Sequence, residues 1–347
     1  MTDIHANERD ARGEWPPATL PQPGAVFAWP PRLLPSLKWF VGLFRGFNGF
    51  YVVLSVVIWF FLTPSLDRMA TFSFDWIAVI FLRNLGLLLL VAGGLHLRLY
   101  IRKWQGKNYK YNNNWLATQS KRFLFNNQTL DNMFWSIASG CTIWTAYEVV
   151  TMWAFANGII PFVDWRDQPV YAVALLLAVI PIREIHFYWT HRLTHWKPIY
   201  RSAHYIHHKN INVGPWSGLS MHPIEHLIYL SGILIHWVIP SHPIHAIFHV
   251  MHAGLAPATG HTGFQKTVIR KADESKVERA IRMEAYEHYL HHCYFTVNFG
   301  TPAVIPLDKW FGTFHDGTPE AHRQMLARRG QKKGTGNNDS MQQAEPA

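Results

Sequence analysis

Three histidine groups in this chain are spaced so that each can bring several imidazoles to one point. His191-Arg-Leu-Thr-His195 is an HxxxH, His204-Tyr-Ile-His207-His208 an HxxHH, and His288-Tyr-Leu-His291-His292 a second HxxHH. On a helix, residues three and four apart share a face. Each group therefore projects two or three ring nitrogens the same way, as a metal requires of a single helix. One HxxxH alone reads equally well as a polar helix face. Two HxxHH motifs in one chain arise by chance in roughly one chain in several hundred. Of the 21 histidines, all but His5, His96, His315 and His322 fall between His186 and His292. Neutral histidine adds little charge for phosphate near pH 7, which argues against nucleic acid. Eight imidazoles exceed the needs of one tetrahedral zinc. They suit two metals with open positions, and imidazole alone does not choose among zinc, copper, iron and nickel.

The elements that must position these groups are apolar. Of 347 residues, 49% are hydrophobic, 15% aromatic and only 16% charged, against roughly 25% charged in ordinary soluble domains. Two cysteines, Cys141 and Cys293, exclude a disulfide scaffold and a cysteine-rich zinc module. Stretches 39–62, 76–97, 134–156 and 170–189 each approach the roughly 20 residues a helix needs to cross a bilayer. Arg45, Arg83, Glu148 and Arg183 interrupt them. Two shorter stretches, 224–239 and 244–258, hinge at Pro240 and Pro243 and read as a re-entrant helical hairpin. The expected fold is all-α: a polytopic membrane bundle of about four spans plus this hairpin, with a cytosolic histidine-rich cap. Basic residues crowd the segments after the second and fourth spans, whereas loops 63–75 and 157–169 balance Arg68 and Arg166 against aspartates. By the positive-inside rule, both termini and the histidine-rich region are expected in the cytoplasm, and the net charge of +10 belongs to such loops. Residues 1–31 are Pro-rich without an apolar signal core and read as a disordered tail. Residues 317–347 are polar and read as a second one.

A two-metal site of nitrogen donors at a membrane face suits activation of dioxygen against an inert C–H bond. Iron reaches the oxidation states this needs and zinc does not, although zinc can substitute on the same nitrogens.

Tyr188-Trp189-Thr-His191-Arg192-Leu-Thr-His195, His204-Tyr-Ile-His207-His208-Lys209 and the Met221-His222-Pro223-Ile-Glu225 stretch resemble, in order, boxes of the fatty acid hydroxylase/sterol desaturase superfamily. His261-Thr-Gly-Phe264 resembles the isolated histidine site of its sterol-type members. His288 to His292, Asn298-Phe299-Gly300 and Asp308-Lys-Trp310-Phe311-Gly312-Thr313 resemble its last box and closing signature. The resemblance covers about 134–316, taken as the catalytic domain after N-terminal membrane helices and a basic loop over 32–133. It implies an integral-membrane enzyme with two non-haem iron ions, oxidising a lipid with O2 and two external electrons. The metal set it implies is His191, His195, His204, His207, His208, His261, His288, His291 and His292. No haem-binding or nucleotide-binding segment is visible, so a ferredoxin- or cytochrome b5-type donor is expected to supply the electrons. A bacterial cytoplasmic membrane is the expected location, since no eukaryotic retention or lipidation signal is read. The boxes do not separate hydroxylation, slightly favoured, from desaturation. A fatty acyl chain, an ornithine-type lipid, a sterol or a hopanoid all remain as substrates.

His222, Glu225, His226 and Glu287 flank the boxes as candidate ligands or orienting groups, Glu225 through the free N–H of an imidazole. His245, His249 and His252 share a helix face and read as core histidines. Glu148 and Arg183 read either as functional charges or as a mutual buried pair. His186 stands where members of this superfamily more often carry an acid or an aromatic. The charged stretch 262–287 suggests an amphipathic helix, read first as a solvated face. A histidine-rich divalent-metal transporter is the competing reading, and the scarcity of acids in the spans, Glu148 foremost, argues against it. A zinc lipid hydrolase would not need eight or nine histidines.

Overall fold

The computed structural model describes residues 9–10, 13–17, 24–30, 32–44, 46–271, 278–283, 285–300 and 304–335, the last five by backbone only. Arg45, Asp273, Glu274, Lys276 and much of both expected tails lie outside the described residues.

The chain is a helical bundle. Helices α1 (Leu33–Leu43) and α2 (Phe47–Phe61) meet at a bend where Gly46 takes a left-handed φ of 65°, a conformation glycine adopts without a Cβ clash. Helix α3 runs Phe74–Ile101. Helix α4 spans 128–156 and passes through a π-helical stretch at Ser136–Cys141. Helix α5 (Pro169–Thr194) opens with proline at its first position, where a missing N–H costs nothing. Helix α6 covers 197–208 in short segments. Helices α7 (Pro223–Leu230) and α8 (Pro243–Gly260) form the turned pair expected around Pro240 and Pro243. Helix α8 is buried along nearly its whole length and is the axis on which α2, α4 and α5 pack. Its Gly254 admits the Trp144 ring of α4, for a Cβ there would come within 2.5 Å of that ring.

Helices α3 and α5 are long and apolar enough to cross a membrane, and the bent pair α1–α2 is a third candidate. Phe61, Phe74, Leu90 and Val170 are 79%, 86%, 74% and 82% exposed. Such large apolar side chains at the surface of these helices suit a lipid surround. The stretch 134–156, expected as a span, lies in α4 but does not meet the same criterion. It carries Ser136, Ser139, Thr142, Thr145, Glu148 and Thr151 at every third position. All of them except Thr142 are buried, so this helix is packed within the bundle by its polar residues as well as its apolar ones.

The intramembrane charges pair differently from the Glu148–Arg183 couple allowed for. Glu148 is bound by Arg83 of α3 and by Asn84 Nδ2 at 3.1 Å. Arg183 donates to its own neighbour Glu184 at 2.6 Å.

Beyond α8, the described residues of the charged stretch form no helix before Tyr286. They include an antiparallel hairpin of β1 (Lys266–Arg270) and β2 (Arg279–Arg282), with Thr267 opposite Ile281. β-Branched Thr267, Val268, Ile269 and Ile281 favour strand over helix. Gln105 fixes the hairpin to the end of α3 through Lys266 O and Val268 N, at 2.9 and 2.8 Å. Helix α9 (Tyr286–Tyr294) follows and stops at Phe295, which is left-handed with φ 64°. Residues Pro319–Thr335 form helix α10, where the composition predicts a disordered tail from 317. Met325 anchors it by full burial.

Candidate metal centre

Four elements converge below the bundle. The last turn of α5 carries His191 and His195, α6 carries His204, His207 and His208, and α9 carries His288, His291 and His292. His261 sits one residue past α8. The nine form two groups. His191, His195, His204, His208 and His291 make one, and His207, His261, His288 and His292 the other, with ligand atoms in each group within 4.8 Å of one another.

Hydrogen bonds on the far side of four rings decide where their protons are. His204 Nδ1 lies 2.6 Å from Glu225 Oε1. His191 Nδ1 meets Phe299 O at 2.7 Å, His291 Nδ1 meets Val297 O at 2.6 Å, and His261 Nδ1 meets Pro257 O at 2.9 Å. A carbonyl oxygen only accepts, so the last three rings carry their proton on Nδ1 and leave Nε2 as a bare lone pair. An ionised Glu225 carboxylate favours the same tautomer in His204.

These lone pairs face each other. In the first group His195 Nε2 lies 3.0 Å from His204 Nε2, and 3.1 Å from both His208 and His291 Nε2. His291 and His208 Nε2 are 3.0 Å apart. One proton on His195 can serve only one of its three neighbours, so the convergence is arranged to hold a cation. In the second group His261 Nε2 lies 2.9, 3.1 and 3.3 Å from the Nε2 atoms of His288, His292 and His207. Two nitrogens about 2.1 Å from one ion sit about 3.0 Å apart at right angles and about 3.4 Å apart at the tetrahedral angle. The first group matches the right-angled spacing, which fits six-coordinate metals with open positions better than structural zinc.

Burial also keeps the rings neutral. It holds His195, His204, His207, His208, His288, His291 and His292 well below the usual histidine range, reinforced by the neighbouring imidazoles. His261 is brought down to about 4 by the same burial. Neutral nitrogens are what a metal binds. Burial pushes the Glu225 carboxyl well above its usual range, and as a carboxylate its Oε1 accepts from His204.

Asp308 secures the chain that supplies two of the carbonyls. It accepts from Phe299 N at 2.9 Å, Gly300 N at 2.8 Å and Thr313 Oγ1 at 2.6 Å. Asn298, left-handed with φ 52°, ties the same turn to Glu287 O and His315 O.

The other candidates fall elsewhere. His222 caps α7 by accepting from Ile224 N, and His226 bonds Ser139 Oγ at 2.8 Å. Neither joins a group. Glu287 is buried and lines the cavity described below. His245, His249 and His252 are buried and bonded to Ala172 O, His236 and Asn48. His186 meets Ser231 Oγ at 3.0 Å, and Cys293 belongs to neither group.

A cavity of about 310 Å³ opens from His191, His207, His261 and His288 into the bundle. Ile180, Phe187, Ile228 and Val304 wall it, and Arg183, Glu184, Asn48 and His252 also line it. Glu184, Asn48 and Tyr229 carry no motif that would single them out in the sequence. An acid beside Arg183 within an apolar run was the only visible signal for Glu184.

Comparison with known proteins adds three findings. Residues 176–313 match the family described as fatty acid hydroxylase. The chain is 28% identical to a Delta(7)-sterol 5(6)-desaturase of Gibberella zeae over 43% of its length and 44% of the relative's. It is 27% identical to a Delta(7)-sterol-C5(6)-desaturase of Nicotiana tabacum over 52% of its length and 62% of the relative's. A methylsterol monooxygenase of Aspergillus fumigatus shares 40% identity over 50 residues, 14% of the chain and 15% of that protein. The chain thus spans about half the length of the sterol desaturases it matches. No solved structure matches it.

Proposed function

We propose that this chain, a member of the fatty acid hydroxylase/sterol desaturase superfamily through residues 176–313, is a membrane oxygenase that oxidises a lipid C–H bond at two iron ions. The observation that carries the reading is the double convergence of neutral imidazole nitrogens, in the first group at right-angled spacings. His191, His195, His204, His208 and His291 would hold one ion, and His207, His261, His288 and His292 the other. Two irons so held would supply the activation of O2, with electrons from a separate ferredoxin- or cytochrome b5-type protein.

The chain itself contributes placement. Glu225 and the carbonyls of Pro257, Val297 and Phe299 fix which ring nitrogen each imidazole presents. The apolar wall of Ile180, Phe187, Ile228 and Val304 receives a hydrocarbon and keeps bulk water from the reacting carbon. His191 lies in the last turn of one candidate span, which supports a centre near a membrane face, and the charge of the loops favours the cytoplasmic one.

Hydroxylation and desaturation share these parts. The relatives named as sterol desaturases and as a methylsterol monooxygenase keep both outcomes in view and favour a sterol-like lipid as substrate. The test is lipid mass spectrometry of host membranes carrying wild type or His207→Ala, under oxygen and with a redox partner supplied. A lipid heavier by one oxygen in the wild type alone identifies a hydroxylase, and one lighter by two hydrogens a desaturase. Lipids that match in the two strains, with no iron in the purified protein, would refute the reading.

A further inference from the structure

The end of the cavity away from the histidines is polar in an unusual way. Arg183 and Glu184 reach it from the middle of α5, where an ionisable pair inside an apolar helix calls for a functional account. Arg183 Nη1 donates to Glu184 Oε1 at 2.6 Å, so the pair is neutral as a unit. Each partner keeps one buried polar atom with no hydrogen-bond partner among the described residues: Arg183 Nε, a donor, and Glu184 Oε2, an acceptor. The two side chains are 11% and 7% exposed.

His252 adds a third such atom. Asn48 Nδ2 donates to Leu43 O at 2.7 Å, which leaves Asn48 Oδ1 as the acceptor facing His252 Nε2 at 2.9 Å. The proton of the neutral ring is therefore on Nε2, and Nδ1 is a buried acceptor without a hydrogen-bond partner among the described residues. Buried polar groups that are left unmet destabilise a fold. Residues lining a cavity in this condition are built to meet something that enters it.

We propose that this end of the cavity is a recognition site for an uncharged alcohol on the lipid that binds. A hydroxyl can donate to Glu184 Oε2 or His252 Nδ1 and accept from Arg183 Nε. An anionic head group meets Glu184 and a cationic one meets Arg183, so the neutral pair selects against both. Arg183 stands eight residues before His191 on α5, or about 12 Å along the helix. The lipid is thus gripped by its hydroxyl at one end and presents a carbon well removed from it to the histidines. This assignment deepens the lipid-oxygenase reading and rests on it only for what happens at the far carbon.

The test uses the purified full chain in detergent and three probes of equal length: hexadecan-1-ol, its methyl ether and palmitate. Binding is read by displacement of radiolabelled hexadecan-1-ol, with iron content measured in parallel. The alcohol should bind about tenfold tighter than the ether, the loss of one hydrogen bond to a charged group. Glu184→Gln should erase this preference and improve palmitate, since Arg183 is then uncompensated. His252→Phe keeps a ring of similar size and should weaken the alcohol more than the ether, which covers the case in which the Glu184 variant fails to fold. Equal binding of alcohol and ether by the wild type, as when ordered water alone fills the polar end, would overturn the proposal. So would a preference that survives in both variants. Iron-loaded protein without the preference refutes this site and leaves the oxygenase reading standing, and iron-free protein with the preference does the reverse.

Discussion

His204 Nδ1 and Glu225 Oε1 are 2.6 Å apart, both fully within the bundle. Residues 21 positions apart in sequence thereby settle which nitrogen of His204 faces the other imidazoles. Removing such an orienting partner costs a metal site about 10- to 100-fold in affinity. Glu225→Ala should lose iron by that factor in chelator competition, whereas Glu225→Gln keeps an acceptor oxygen and should lose less. Iron affinity unchanged in the alanine variant would show that the ring is held some other way.

Single ligand deletions separate the two groups. His291→Ala strikes the five-histidine group and His207→Ala the four-histidine group. Each should lower the iron-to-protein ratio from two to one or less and abolish lipid oxidation, with membrane insertion intact. A full complement of iron in either variant removes that histidine from the ligand set.

Asp308 touches no histidine, yet it fastens the turn that feeds His191 its carbonyl. Asp308→Ala leaves two backbone N–H groups and the Thr313 hydroxyl short of a partner, worth about 2–4 kcal/mol. The expected result is a lower Tm together with reduced iron, and partial recovery in Asp308→Asn. A normal Tm with normal iron would mean that the turn holds without it.

The metal-stripped protein should be acid-sensitive. His261, at about 4, and its neighbours, well below the usual histidine range, bind protons less readily folded than unfolded. Stability is therefore full above about pH 6.5 and falls as pH drops toward the folded values. At pH 5.5 each such ring costs about 1.4 kcal/mol. The Tm of stripped protein should drop by about 10 °C or more between pH 7.5 and 5.5, and by less with metal bound. A flat profile would mean that the rings are protonated in the fold.

The three histidine boxes were legible in the sequence because their spacing matches the period of a helix, but their division into two groups, which parts His207 from His208, was not. His261 has no such partner nearby, and only a family resemblance singled it out. The hairpin over 266–282 was obscured by its density of lysine and arginine, which overshadowed the β-branched residues that decide the matter. In α4 a total of apolar residues suggested a span, whereas its serines, threonines and Glu148 are mostly buried against the bundle. The pairings Arg83–Glu148 and His252–Asn48 join residues 65 and 204 positions apart, and no local pattern encodes them.

Neighbouring residues on two helices serve different groups. His207 faces one and His208 the other, and on α9 His291 is parted in the same way from His288 and His292. Neither helix can turn to improve one group without spoiling the other. Filling either group therefore orders the same two helices for its companion, and the entropy of that ordering is spent only once. Half-loaded molecules should be scarce, and metal uptake should follow a steep, sigmoidal isotherm rather than two independent steps.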